Sequence, residues 1–351
     1  MLRLCAAVFV LVLAGQPSLA DSESLEAARQ QLLEIKEAGR IPGFADYVKV
    51  VNREDLQLTD VGFVRLGQFV DSLQEPEISR EALAERIAAK RKNIRSYVIE
   101  AVSKPVGKFY SGRGTHRYKF AGDGNKRYQC HWVVPGDGQE FLRQTTSFDG
   151  QVVRQYKKGF SNDAFIYPEL FRGGAHDFDL REDLTDMRAN PIPSSMLIDC
   201  EAELGYFHPD LDLVAVLKTE GTIVYSERQE VEGHSYLVVQ HFNTVVYLDP
   251  QLDHSVIRRE DWHLEHGGGK IQSFRRHGFT TYADFQESGG VHLPTTITFS
   301  HPASGGRNTV VTVNKLTING DVEESLYKDV TSGLKTFKIQ DDGSVIPVDD
   351  E

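Results

Sequence analysis

The 351 residues include only 3 Cys, 3 Met and 2 Trp. So few cysteines exclude a disulfide-dense miniprotein, whose small core depends on several bridges. Basic residues are also in deficit, with 39 Lys and Arg against 51 Asp and Glu, a formal net charge of -12. Phosphate backbones need a basic field, so nucleic acid is excluded as the main partner. Long hydrophobic runs are missing too. The longest, Leu4 through Ala14, has eleven residues, whereas a membrane-spanning helix needs ~20. At 40% hydrophobic and 26% charged the composition is an ordinary globular mix, which excludes disorder and a collagen-like repeat.

Recognisable catalytic motifs are equally scarce. There is no G-x-S-x-G elbow, H-E-x-x-H helix, Walker loop, G-x-G-x-x-G turn after a strand, or EF-hand loop. His263-Leu264-Glu265-His266 and His208-Pro209-Asp210-Leu211-Asp212 offer metal-ligating side chains. Helical spacing would put His263 and His266 on one face, but neither run supplies a full ligand set. No metal and no cofactor is expected. Arg258-Arg259 and Arg275-Arg276-His277 could meet a phosphate or carboxylate, or face acids across strands.

The N-terminus is informative. Arg3 precedes the apolar run, and Ser18-Leu19-Ala20 forms a small-x-small site before Asp21. This is a secretory signal peptide over residues 1–20. Its removal leaves 38 basic and 51 acidic residues, a charge of -13. The protein is then expected to be soluble, in the periplasm or cell envelope. Cys130 and Cys200 remain, either as a disulfide or as two separate thiols.

Residues 21–95 read as helical. Leu25, Ala28, Leu32 and Ile35 recur at helical spacing. Thr59 opens a second helix, and Ser79 caps a third with Ile78 stapled onto Leu83. From Tyr97 the period becomes two. Tyr97, Ile99 and Ala101 share a face, as do Tyr118 and Phe120. Tyr128, Cys130, Trp132 and Val134 follow the turn Gly122-Asp123-Gly124-Asn125. Residues 157–215 interrupt the strands, with a helix from Ser194 or Ser195 through Leu197, Cys200 and Leu204. Strands resume over 222–231, 234–241, 244–248, 254–259, 270–275, 278–287, 294–300 and 308–318. Consecutive strands joined by tight turns mean an antiparallel meander.

These pieces occur in a specific order. A helix ending in Asn93-Ile94-Arg95-Ser96-Tyr97 enters a strand. Ser147-Phe148-Asp149-Gly150 turns, and Val231-Glu232-Gly233-His234 and Tyr247-Leu248-Asp249-Pro250 follow. Tyr282-Ala283-Asp284-Phe285 leads to Gly289-Gly290 and Pro294-Thr295. The strand Val313-Asn314-Lys315-Leu316-Thr317-Ile318-Asn319 closes the set. Over roughly residues 80–330 this resembles the LolA/LolB-like superfamily of outer-membrane lipoprotein-sorting proteins, to which RseB-like regulators are related.

The resemblance implies an α+β fold: a curled antiparallel sheet, or half-open barrel, covered by helices. The helical N-terminal extension would be residues 21–78. The β-domain would be 79–330, with a helical insertion at 157–215, and 331–351 a C-terminal strand and acidic tail. It further implies a non-enzymatic lipid- or lipoprotein-binding protein. Its partner would be an acyl chain, lipid or lipidated protein held in an apolar hollow between sheet and helices. Strand parity selects Tyr97, Ile99, Tyr118, Phe120, Tyr128, Trp132, Tyr236, Val238, Ile297 and Phe299 as lining candidates. The same side chains could instead fill a closed core. An envelope sensor with a protein partner is the alternative, and a hydrolase ranks third.

Overall fold

The computed structural model describes residues 19–106, 115–124, 126–134, 142–148, 152–158, 164–168, 208–231, 233–301, 307–328, 336–339 and 345–348. Most of the segment expected to be a signal peptide, and the helix expected at 194–204, lie outside these. The chain divides into two compact units, one of residues 1–85 and 213–279, the other of 86–212 and 280–351.

The first unit begins with three helices, α1 (Leu19–Glu37), α2 (Phe44–Val51) and α3 (Asp60–Leu73). Thr59 caps α3, its Oγ1 accepting from the Gly62 amide at 3.2 Å. Arg80–Lys92 forms α4, whose start lies in this unit, and Ser79 Oγ accepts from the Ala82 amide. Both caps fall where the sequence places them.

The sheet of this unit contains β7 (Thr222–Val224), β8 (Gln229–Val231), β9 (His234–His241), β10 (Thr244–Asp249), β11 (Ser255–Gly267) and the first half of β12 (Lys270–Ser288). Neighbours run β12-β11-β10-β9-β7, with β8 also on β9. Helices and sheet close on one core. Leu25, Ala28 and Leu32 of α1 and Phe63, Leu66 and Val70 of α3 pack with Val238, Val245, Tyr247 and Phe274. Residues 21–78 thus share their core with strands drawn from 222–274.

Polar groups tie the same layers together. Asn52, just past α2, bonds the backbone of Phe274 in both senses. Its Nδ2 donates to the carbonyl at 2.8 Å and its Oδ1 accepts from the amide at 2.7 Å. One side chain here does the work of a neighbouring strand. The Ile271 amide also donates to the Leu58 carbonyl.

The second unit carries β1 (Ser96–Val106), β2 (Thr115–Asp123), β3 (Lys126–Val134), β4 (Leu142–Phe148), β5 (Val152–Lys158) and β6 (Ala164–Pro168). It also holds the second half of β12, β13 (Val291–His301), β14 (Arg307–Ile318), β15 (Thr336–Ile339) and β16 (Val345–Val348). The order is β16-β15-β6-β5-β4-β3-β2-β1-β14-β13-β12. β15 pairs with β6 in parallel, whereas β1 to β6 pair in antiparallel succession, as do β1 with β14, β13 with β14 and β15 with β16. The helix α5 (His208–Leu217) divides between the units, and α6 (Ser325–Lys328) belongs to the second. The class is the expected one: α+β, with an open antiparallel sheet and N-terminal helices.

Four local expectations change. The strand expected at 254–259 extends to Gly267 as β11. Those expected at 270–275 and 278–287 are one strand, β12. The interruption at 157–215 contains a strand, β6. The acidic tail contains β16, whose Val345 and Ile346 pair with β15. In β11 and β12 cross-strand hydrogen bonding outweighs local polarity, because β propensity depends on the neighbour more than on the residue, whereas β6 and β16 are short apolar runs within polar surroundings.

Candidate functional site

Four adjacent strands of the second unit build one continuous apolar face. Tyr97, Ile99 and Ala101 of β1 pair across to Gly122, Phe120 and Tyr118 of β2. Directly opposed residues share a face. On the other side Tyr97 and Ile99 pair with Ile318 and Leu316 of β14. A bulge after Glu100 then skips Asn314, so Ala101 and Ser103 oppose Val313 and Val311. This one extra residue keeps both halves of β14 presenting apolar side chains to the same side. Ile297 and Phe299 of β13 complete the row, opposite Val311 and Thr309.

The face is deeply buried. Tyr97, Ile99, Tyr118, Phe120, Ile297 and Val311 are each at most 1% exposed, and Phe299 is 6%. The Tyr118 and Phe120 rings stack with centroids 6.3 Å apart and planes 7° apart. Ser103 on this face is fully buried, and among the described residues its Oγ has no hydrogen-bond partner.

Gly122 is needed beneath Tyr97. A Cβ there would lie 2.4 Å from Tyr97 Cε1. Overpacking of this kind costs about 1–3 kcal/mol. Gly122→Ala is therefore expected to lower the thermal midpoint, and Tyr97→Leu in the same chain should recover most of the loss. A double-mutant cycle by calorimetry checks this.

Six of the ten candidates meet on this face: Tyr97, Ile99, Tyr118, Phe120, Ile297 and Phe299. Tyr128 does not. The β2–β3 hairpin pairs Asp123 with Lys126, so Tyr128 opposes Ala121 and Cys130 opposes Lys119. Tyr128 faces the other side of the sheet, in a cluster with Val98, Ala121, Cys130 and Tyr327. Helix α6 caps that cluster, with the Tyr327 carbonyl accepting from Ser147 Oγ at 2.9 Å. Trp132 stands opposite Arg117 in the same ladder. Tyr236 and Val238 belong to the first unit, where they pack in the core beneath the N-terminal helices. Val238 is 1% exposed there, and Tyr236 is half-buried against the same core. Cys130 is a free, buried thiol 3.2 Å from Thr145 Oγ1, and Cys200 lies outside the described residues.

The first unit holds a second chemically distinct group, centred on Glu260. Arg258, Glu260 and Trp262 alternate along β11 and so share a face. Arg258 Nε donates to Glu260 Oε1 at 2.8 Å, and Arg276 Nη1 of β12 donates to the same oxygen at 2.9 Å. Trp262 Nε1 and the Tyr247 hydroxyl donate to Oε2 at 3.1 and 3.2 Å. Burial, with the Glu260 charge second, holds the Tyr247 phenol well above its ordinary pKa. It therefore remains a proton donor. The basic spots Arg258 and Arg276 thus face an acid, as does Arg259, which pairs with Asp261 at 3.0 Å. The sequence pattern missed Glu260 because β11 was expected to stop at 259.

Among the described residues no three His, Cys, Asp or Glu side chains come together as a metal site. His263 and His266 lie in a strand, not a helix. Three positions apart there, they point to opposite faces. His266 Nε2 instead meets Asp60 Oδ1 at 2.7 Å. No helix among the described residues is long and apolar enough to cross a membrane.

No family model matches the chain, and no curated protein matches it. Among solved structures it is similar to a LolA superfamily protein from Nitrosomonas europaea, with 11% identity, covering 72% of this chain and 99% of the other at a TM-score of 0.39. A DUF1329 family protein from Desulfovibrio piger shows 12% identity over 71% of this chain and 95% of the other, at a TM-score of 0.41. A domain assigned to the outer membrane lipoprotein-sorting proteins, from Vibrio parahaemolyticus, shows 12% identity over 71% and 97%, at 0.40.

Proposed function

We propose that the protein is an exported, non-enzymatic binder of an acyl chain, lipid or lipidated protein, acting in the periplasm or cell envelope. The observation that carries this reading is the apolar face spanning β2, β1, β14 and β13, with its stacked Tyr118 and Phe120 rings. An extended hydrocarbon inserted against such a run of alternating apolar side chains would find continuous contact across four strands. Each methylene it buries contributes about 0.8 kcal/mol, so half of a long acyl chain would give useful affinity after the entropic cost of binding.

Native mass spectrometry of the purified chain, together with uptake of a fluorescent fatty acid, tests this. Bound lipid and saturable uptake are expected. Ala101 is 4% exposed and lies on the face. Ala101→Phe adds a bulky side chain there and should reduce uptake roughly tenfold, which is about 1.4 kcal/mol. A chain that neither carries lipid nor takes up the probe would overturn the reading.

The sensor alternative looked to the N-terminal helices as a partner surface. Those helices place Leu25, Ala28, Leu32, Phe63, Leu66 and Val70 in the core of their own unit, which leaves lipid binding the better supported of the two.

A further inference from the structure

We propose that Arg276, backed by Arg258, forms a binding site for a phosphate group. The proposal is independent of the acyl-chain reading, since every residue it uses belongs to the first unit.

The first argument is charge balance. Glu260 is only 3% exposed, and two guanidinium groups converge on it, with Arg258 Nη2 at 2.7 Å and Arg276 Nη1 at 2.9 Å from the same oxygen. One arginine is enough to neutralise a buried carboxylate. The second leaves the cluster with one uncompensated positive charge, in a chain whose net charge is -12.

The second argument is donor counting. A carboxylate offers about four lone-pair positions. Arg258 Nε and Nη2, Arg276 Nη1, Trp262 Nε1 and the Tyr247 hydroxyl all lie within 3.2 Å of its two oxygens. Five donors therefore compete for those positions. The Nε and Nη2 groups of Arg276 have no acceptor among the described residues.

The third argument is presentation. The Arg276 side chain is 41% exposed, against 18% for Arg258. Both guanidiniums lie over the Phe279 ring, at 4.5 Å for Arg258 and 5.1 Å for Arg276. The ring and the carboxylate fix the plane of Arg276 while its outer edge faces water. A guanidinium edge held in this way matches two oxygens of a phosphate, and little side-chain freedom is left to lose on binding.

The phosphate could be free or the head group of a phospholipid. Equilibrium dialysis of the full chain against radiolabelled inorganic phosphate, and against dihexanoyl-phosphatidylglycerol below its micelle concentration, covers both. Saturable binding of at least one probe is expected. Equal affinity for the two marks free phosphate as the ligand, and preference for the lipid marks the head group. Arg276→Gln should weaken binding about tenfold or more, as expected for loss of a charge-assisted pair. Arg275→Gln, the exposed neighbour on β12, should change it less than twofold. Phe279→Leu keeps both arginines, frees their planes, and should weaken binding about threefold. Circular dichroism of each variant verifies the fold. The absence of saturable binding for both probes, or equal losses in Arg275→Gln and Arg276→Gln, would overturn the proposal.

Discussion

Replacing Glu260 by alanine is expected to destabilise the first unit by about 3 kcal/mol. Removing one partner of a buried ion pair costs about 3–5 kcal/mol, because the remaining charge is left without a counterion. The lower end applies here, since Arg276 is 41% exposed and can partly rehydrate. Three neutral or charged neighbours also lose their acceptor: Tyr247, Trp262 and Arg258 each donate to Glu260. A triple replacement, Arg258→Met with Glu260→Leu and Arg276→Met, should be close to neutral, because it removes the charges together. Urea unfolding in a Trp132→Phe background, followed through Trp262 fluorescence, separates the two outcomes. If Glu260→Ala unfolded at the same urea concentration as the parent chain, the carboxylate would have no structural role.

Phe274→Ala should cost more, about 4 kcal/mol, within the range of 3–5 for truncating a buried phenylalanine. Phe274 is fully buried. Its ring meets Trp262 at 4.9 Å, Phe63 at 5.3 Å and Tyr47 at 6.3 Å, mostly edge to face. Such pairs add about 0.5–1.5 kcal/mol beyond area burial. Neighbouring chain cannot easily collapse into the void, because Asn52 holds the Phe274 backbone at both its amide and its carbonyl. Phe274→Leu should lose less than half as much. The same urea titration measures both, in a Trp132→Phe background so that Trp262 is the only indole. Equal losses for alanine and leucine would mean that the cavity makes no contribution.

Much of the secondary structure was legible from elementary patterns. Thr59 and Ser79 are N-caps at the positions their neighbours imply, and the period-two runs from Tyr97 onward are strands. What the patterns missed depends on partners. Parity within a strand says which residues share a face of that strand. It does not carry across a turn unless the register is known. The tight turn between Asp123 and Lys126 pairs even-numbered residues with odd ones. Tyr128 therefore cannot share a face with Tyr118 and Phe120, although all three are even. That consequence was available from the turn length. The skipped Asn314 was not, because a bulge leaves no distinctive residue type behind. Nor was the end of β11 visible: Glu260, Asp261, His263, Glu265 and His266 are poor strand formers, held in place by neighbouring strands.

The core beneath α1, α2 and α3 has a further consequence, for the order in which the chain can fold. Its helical half is complete by Leu73, yet Phe274 is synthesised about 200 residues later. At about 5–20 residues per second the helices wait tens of seconds for their sheet. Short helices are marginal on their own in water. During that interval Leu32, Phe63 and Leu66 are exposed apolar side chains on a growing polypeptide. Over that interval aggregation competes with completion of the core, and the competition ends only when the strand carrying Phe274 arrives.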